Sequence, residues 1–176
     1  NLDGKATFSN DTGIGFLDHM LDQLSKHSLI DLTTTCKGDL YIDDHHSVED
    51  IGITLGLALK SALGNKIGIQ RYGSCLLPMD DALIQSALDV SGRAYLEYNV
   101  SFKNSKIGCF DTELVKEFFN SLCLNSGITL HINKITGTNS HHIVEATFKS
   151  VARSLRKAIA VDTRRAQEVP STKGVL

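Results

Sequence analysis

Two short stretches hold the side chains best suited to chemistry, His45-His46-Ser47-Val48-Glu49 and His141-His142-Ile143-Val144-Glu145. On a helix, Glu49 lies four residues from His45 and three from His46, so three good metal ligands crowd one helical turn. His141, His142 and Glu145 repeat that spacing. Adjacent histidines on a helix point about 100° apart and do not easily serve one ion together. Two pairs therefore suggest two metals, each taking one histidine from each motif. Imidazole and carboxylate without thiolate favour Mn, Fe, Ni or Zn, with six-coordinate Mn(II) or Fe(II) fitting best. A solitary histidine is ordinarily a satisfied surface or core residue, and His27, near a helix end, is read that way. His131, within a strand, stays open between core packing and support for a ligand.

The elements that must position these residues follow from apolar spacing. Phe16, Leu17, Met20, Leu21 and Leu24 recur at helical intervals after Thr12-Gly13-Ile14-Gly15. Ile30 to Cys36 reads as a strand and Gly38 to Ile42 as a second one. Val48, Ile51, Leu55, Leu59 and Leu63 predict a helix over 45–63 that stops at Gly64-Asn65. Tyr72 to Pro78, Leu83 to Val90 and Ala94 to Val100 read as strands, the last two joined by a turn at Ser91-Gly92. A helix over about 112–125, a strand over 128–135 and an amphipathic helix from His141 to about Val161 complete the pattern. Arg153, Arg156 and Lys157 suit the negative end of that last helix dipole. Beyond it, 162–176 is polar and irregular.

The pattern repeats. Phe16–Leu24 matches Leu114–Leu122 at an offset of 98 (114 minus 16), and Ile30-Asp31-Leu32 meets Ile128-Thr129-Leu130 at the same offset. The histidine pairs align at 96 (141 minus 45), which implies a two-residue deletion in the second turn. Each half reads helix, strand, turn, then a helix opened by His-His-x-x-Glu, with His19 opposite Glu117. The candidate ligands are therefore His19, His45, His46, Glu49, Glu117, His141, His142 and Glu145. A ferritin-like di-metal site needs Glu-x-x-His helices in a four-helix bundle, whereas here the order is reversed and strands intervene.

Composition narrows the setting. A chain of 176 residues, 41% hydrophobic and 22% charged, is ordinary for one globular domain or two fused halves of roughly 90 residues. No apolar run approaches the ~18 residues of a membrane span, and no secretory leader opens the sequence. A net charge of -2 argues against nucleic-acid or membrane-surface roles. Cys36, Cys75, Cys109 and Cys123 lie far apart without C-x-x-C spacing, as for reduced thiols in a cytosolic or plastid-like compartment. Three further features read either as site parts or as ordinary surface. Asp80-Asp81 is a carboxylate pair at a strand end or an acidic turn. Arg71 and Arg93 clamp an anion or stand as single arginines. Pro170-Ser171-Thr172-Lys173-Gly174 cradles a phosphate or frays as a tail.

Four segments then converge on one family. They are Thr12-Gly13-Ile14-Gly15-Phe16-Leu17-Asp18-His19-Met20-Leu21, Asp43-Asp44-His45-His46-Ser47-Val48-Glu49-Asp50, the stretch Asn139–Lys149, and Pro170-Ser171-Thr172-Lys173-Gly174-Val175. In that order, over nearly the whole chain, they resemble imidazoleglycerol-phosphate dehydratase of histidine biosynthesis. The resemblance implies an α+β fold of duplicated, ferredoxin-like half-domains, 1–91 and 92–176, each a four-stranded sheet packed by two helices. It also implies trimers built into an octahedral 24-mer, active sites shared between neighbours, two Mn(II) per active site, and a cytoplasmic enzyme (plastid in a plant). By the same resemblance Gln23, Arg71, Arg93, Ser171 and Lys173 hold the substrate phosphate, while Asp80 and Lys149 lie near the diol with Glu49 and Glu145. Glu117 stands where many members carry histidine.

The implied reaction removes water from a 1,2-diol beside an imidazole ring, converting D-erythro-imidazole glycerol phosphate to imidazole acetol phosphate. No carbonyl acidifies the hydrogen to be lost. An imidazolate held between two manganese ions would expel the adjacent hydroxyl, leaving a diazafulvene-like species whose neighbouring C–H is acidic enough for a carboxylate base. A metal-storing shell without turnover and a binuclear phosphoesterase are the competing readings; phosphate-analogue binding separates the first, and ketone formation rather than phosphate release the second. Family members usually open with an Arg-x-Thr-x-Glu-Thr segment upstream of the Asp-Gly that here is Asp3-Gly4. Without its glutamate, residues 1–176 are expected to bind metal and substrate but to turn over about 10²–10⁴-fold slower. Steady-state rates of this chain against a version carrying that segment check the expectation, and equal turnover numbers would refute it.

Overall fold

A computed structural model describes all residues, Asn1–Leu176. In chain order the elements are β1 (Phe8–Asp11), α1 (Gly15–Ser28), β2 (Leu32–Thr35), α2 (His45–Leu63), β3 (Tyr72–Met79), β4 (Ala82–Asp89), β5 (Tyr95–Asn99), β6 (Lys106–Ile107), β7 (Phe110–Asp111), α3 (Leu114–Ser126), β8 (Thr129–Thr136) and α4 (Ser140–Ile159). Leu17, Met20, Leu21 and Leu24 form the buried stripe of α1, and Val115, Phe118, Phe119 and Leu122 form that of α3. α3 stops at Gly127, whose left-handed φ of 73° lets its N–H close on the Cys123 carbonyl at 3.0 Å.

The main sheet has the order β3-β4-β8-β5. β4 runs antiparallel to both neighbours, and β5 runs parallel to β8. Ala82, Ile84, Ser86 and Leu88 alternate inward along β4, toward α4. The seam is narrow. The buried Ser86 hydroxyl lies 2.7 Å from those of both Ser150 and Ser154 on α4. β1 and β2 make a separate parallel pair, and β6–β7 a short hairpin. One four-stranded sheet and two of two strands thus replace the expected two of four; the hairpin β3–β4, from before residue 91, pairs with β8 from after it.

Each half nonetheless contains a parallel β-α-β unit followed by a His-His-x-x-Glu helix, β1-α1-β2 then α2, and β5-α3-β8 then α4. The helices pair across the halves, α1 on α4 and α2 on α3. Gly52 and Gly56, one turn apart on α2, make the second pairing possible. A Cβ on Gly52 would sit 2.8 Å from the Phe118 carbonyl, and one on Gly56 would sit 2.7 Å from that of Leu122.

One local expectation fails and one strand went unread. Gly38–Ile42 is not a strand: the Ile42 N–H closes a turn on the Asp39 carbonyl at 2.9 Å, and the Ser47 hydroxyl occupies the place of a Cβ on Gly38. β1 gave no signal because Phe-Ser-Asn-Asp is mostly exposed and lacks apolar alternation. The chain does bend at Ser91-Gly92 between β4 and β5 as expected, but the two strands are not neighbours in the sheet, since β8 inserts between them.

A substitution tests the α2–α3 contact. Gly56→Ala would gain about 1 kcal/mol of helix propensity. The atom it meets is backbone and cannot rotate away, so overpacking of about 1–3 kcal/mol outweighs that gain. Urea denaturation should show a net loss for Gly56→Ala and none for Gly15→Ala, where nothing lies within 4 Å.

Candidate metal centre

The site begins with two helix starts. At α1, the buried Thr12 donates to Asp18 Oδ1 from both its N–H (2.8 Å) and its hydroxyl (2.6 Å), bending the Thr12–Gly15 turn onto the helix. That orients the face bearing His19. At α4, the Asn139 side chain accepts from the N–H groups of His141 (3.0 Å) and His142 (3.3 Å), as an N-cap should. Asp81 holds the preceding loop by accepting from the N–H groups of Thr138 (2.7 Å) and Asn139 (3.0 Å). Those contacts, with the Asp81–His142 hydrogen bond next in strength, hold the Asp81 carboxyl far below the usual carboxylate range.

Because α1 packs on α4, His19, His141 and Glu145 converge, with one ligand atom of each within 4.8 Å of the others. Glu145 Oε2 lies 3.1 Å from His141 Nε2 and 3.4 Å from His19 Nε2, while its Oε1 accepts from Lys149 Nζ at 2.6 Å. Glu145 is only 7% exposed. Burial works to raise its pKa, but Lys149 and then His141 and His19 outweigh it, and the net shift is downward. Phe16 sets its ring edge-on to His141 at 5.3 Å and rests on Phe110 at 5.1 Å, so the β6–β7 hairpin braces the cluster. Beside His19 opens a cleft of about 440 Å³, lined by Gly13–Phe16, Asp44 and the Ile107–Phe110 turn. A smaller apolar pocket of about 100 Å³, lined largely by leucines and alanines beneath Leu2, offers nothing comparable in donors. Two imidazole nitrogens and a carboxylate with no thiolate fit a divalent cation of the Mn, Fe, Ni or Zn type.

The other expected ligands lie outside this cluster. His45 and Glu49 on α2 and Glu117 on α3 sit on the second packed helix pair, in the places the repeat assigns to His141, Glu145 and His19. His46 turns to Asp39 and His142 to Asp81, each at 2.8 Å. Asp80 is exposed in a left-handed conformation (φ 48°) at the β3–β4 turn, with Oδ2 3.6 Å from His142 Nε2. Gln23 follows His19 by one turn on α1.

The anion-binding candidates gather elsewhere on the chain. Arg71 is bidentate to Asp89 (2.7 and 3.2 Å) and also donates to the Pro170 carbonyl at 2.9 Å, tying the tail down. Leu176 lies against Gly92, next to Arg93. Ser171 accepts from the Lys173 N–H at 3.2 Å, and the Lys173 side chain remains exposed. His131 is exposed on the sheet's open face, 5.7 Å from the Tyr95 ring, and takes no part in the cluster. Burial first, then Lys149 and Arg153, lower the His27 pKa. Asp39 and Asp81 were not anticipated as partners of ring nitrogens. Asp39 stands seven residues before His46, and Asp81 reaches His142 only through the fold.

Glu145 makes the metal-free protein sensitive to acid. A folded-state pKa below the ordinary 4.5 means that its stabilising contribution is complete above that value and is lost as pH falls through the lower one. Lys149→Met leaves burial less opposed, so that loss should begin at higher pH, and the variant should be about 1.5–3 kcal/mol less stable at neutral pH. Urea midpoints measured from pH 7 to pH 3 check both.

Residues 12–155 match the family model of imidazoleglycerol-phosphate dehydratase. Among curated proteins, that of Dinoroseobacter shibae is 62% identical over 176 residues, covering 100% of this chain and 90% of the relative. That of Ruegeria sp. (strain TM1040) is 64% identical with the same coverage. Among solved structures, the dehydratase of Staphylococcus aureus superposes with a TM-score of 0.86 at 42% identity, covering 91% of each chain. The protein of Pyrococcus furiosus gives 0.85 at 40% identity, over 97% of this chain and 91% of that one. A chain that aligns along its whole length at this identity, and carries a histidine–carboxylate cluster where two halves meet, belongs to the imidazoleglycerol-phosphate dehydratase family.

Proposed function

We propose that the chain is a hydro-lyase of histidine biosynthesis that converts D-erythro-imidazole glycerol phosphate to imidazole acetol phosphate. The observation that carries this reading is the convergence of His19, His141 and Glu145 from two helices of different halves. One manganese ion is assigned to those three residues, and a second to His45, Glu49 and Glu117 on the other helix pair. His46 and His142, turned from their neighbours, complete sites shared with adjacent subunits of a 24-mer built from trimers. When bound, the two cations supply Lewis-acid stabilisation of the deprotonated substrate ring.

The chain's own residues do the rest. Arg93, Ser171, Lys173 and Gln23 grip the phosphate, with Arg71 anchoring the tail that carries two of them. Remote binding of this kind orients the diol without touching the reacting bonds. Asp80, free at the turn beside His142, accepts the proton from the carbon bearing the second hydroxyl. Lys149, at the open end of Glu145, donates to the departing hydroxyl, which leaves as water. The resulting enol becomes the ketone. The reading further takes 1–91 and 92–176 as duplicated half-units in one cytoplasmic protein.

Lys173→Ala and Arg93→Ala should each lower catalytic efficiency by the loss of one charge-assisted contact, about 1.5–3 kcal/mol or roughly ten- to a hundredfold. Manganese content should be unchanged in both. Asp80→Asn should lower kcat by about 10²–10⁴-fold. The assay follows ketone formation from the phosphorylated imidazole diol. Release of inorganic phosphate in place of ketone, or full activity after complete removal of divalent metal, would refute the reading.

A further inference from the structure

The second histidines of the two motifs share an arrangement that the first do not. His46 Nδ1 lies 2.8 Å from Asp39 Oδ2, and His142 Nδ1 lies 2.8 Å from Asp81 Oδ1. His141 instead turns Nε2 to Glu145. The two aspartates are not equivalent in the repeat. Asp39 belongs to the turn before α2, while Asp81 comes from the β3–β4 turn and reaches α4 across the fold. Sequence duplication therefore does not account for the shared geometry, but a shared task does. An ionised carboxylate only accepts, so the nitrogen facing it must carry the hydrogen. The neutral ring is then held with Nδ1–H inward and the Nε2 lone pair outward. For His142 the nearest carboxylate to Nε2 is Asp80 at 3.6 Å, too long for a hydrogen bond.

We propose that Asp39 and Asp81 are positioning residues that fix the tautomer and direction of His46 and His142, presenting Nε2 of each to a divalent cation. The inference rests on the metal reading above. It adds that the two sites are tuned from outside their ligand sets by carboxylates of unrelated origin in the chain. Such outer partners fix ring orientation and raise ligand basicity, and their removal typically weakens metal binding about 10–100-fold. Asp81 has a second duty, since it also holds the loop before α4. Apart from its own backbone N–H, the Asp39 side chain has His46 as its hydrogen-bond partner, so Asp39→Ala isolates the effect.

Long-range proton–nitrogen spectra of the metal-free, histidine-labelled protein read the tautomers directly. His46 and His142 should both be Nδ1–H at a pH where they are neutral, and Asp39→Ala should move His46 alone toward the Nε2–H form. Calorimetric titration with Mn(II) should then show one class of sites weakened about 10–100-fold in Asp39→Ala, with the melting temperature of the metal-free protein unchanged. Asp81→Asn should weaken the other class. Nε2–H rings in the parent protein, or manganese affinity unaltered in Asp39→Ala, would overturn the proposal. A parent protein that takes up no manganese would refute the metal reading instead, and the tautomer spectra would still decide this one.

Discussion

Glu145 cannot be left alone. A carboxylate 7% exposed and away from bulk water is costly to ionise unless charges and donors surround it. Lys149 one turn later, His141 one turn earlier and His19 across the helix interface meet that requirement together. The demand reaches outward from there. His19 arrives only if α1 starts where the Thr12–Asp18 hydrogen bonds make it start, and His141 is presented only if Asn139 and Asp81 set the first turn of α4. The same carboxylate that ties these neighbours together also completes the candidate metal site with His19 and His141.

Helix pairing across the halves is the architectural counterpart. The main helix pairings cross between the halves, α1 of the first with α4 of the second and α2 of the first with α3 of the second, while Phe118 and Phe119 of α3 also reach Phe148 of α4. Close approach at the second interface depends on Gly52 and Gly56, where side chains would strike backbone carbonyls. At the sheet, small hydroxyl residues on α4 let it lie near β4, with Ser86, Ser150 and Ser154 satisfying one another in an apolar setting. At both interfaces the closest atoms belong to backbone or to short side chains with few rotamers.

The two ends of the chain's chemistry differ in how they are held. Metal-ligand candidates project from helix starts, where capping and hydrogen bonds to aspartates define direction. The phosphate-gripping candidates rely on a tail without regular structure, tied by the Arg71 guanidinium to Asp89 and to the Pro170 carbonyl. Arg71 is 13% exposed, and its charge is already matched by Asp89. Its hydrogen bond to the Pro170 carbonyl ties down the tail that carries Ser171 and Lys173, and Leu176 at the tail's end lies against Gly92.

Local periodicity and motif spacing sufficed for the helices and for most strands, because apolar residues at helical or alternating intervals are a one-dimensional record of a buried face. They also sufficed to find the two His-His-x-x-Glu motifs and to name His19, His141 and Glu145, the three candidates that the fold brings together, among eight. They did not reveal β1, whose exposed polar residues record no buried face, nor the turn at Gly38–Ile42, which the Ser47 side chain and the Asp39 carbonyl impose. The partition of the strands into sheets of four and two was equally invisible, since β8 inserts between strands that neighbour one another in the chain. Which ligands meet was likewise decided only by packing: His19 joins Glu145 across 126 residues because α1 lies on α4. Asp81 reaches His142 across 61 residues for the same kind of reason. Spacing along a chain specifies what one helix face can offer; only the close packing of two faces specifies which offers coincide.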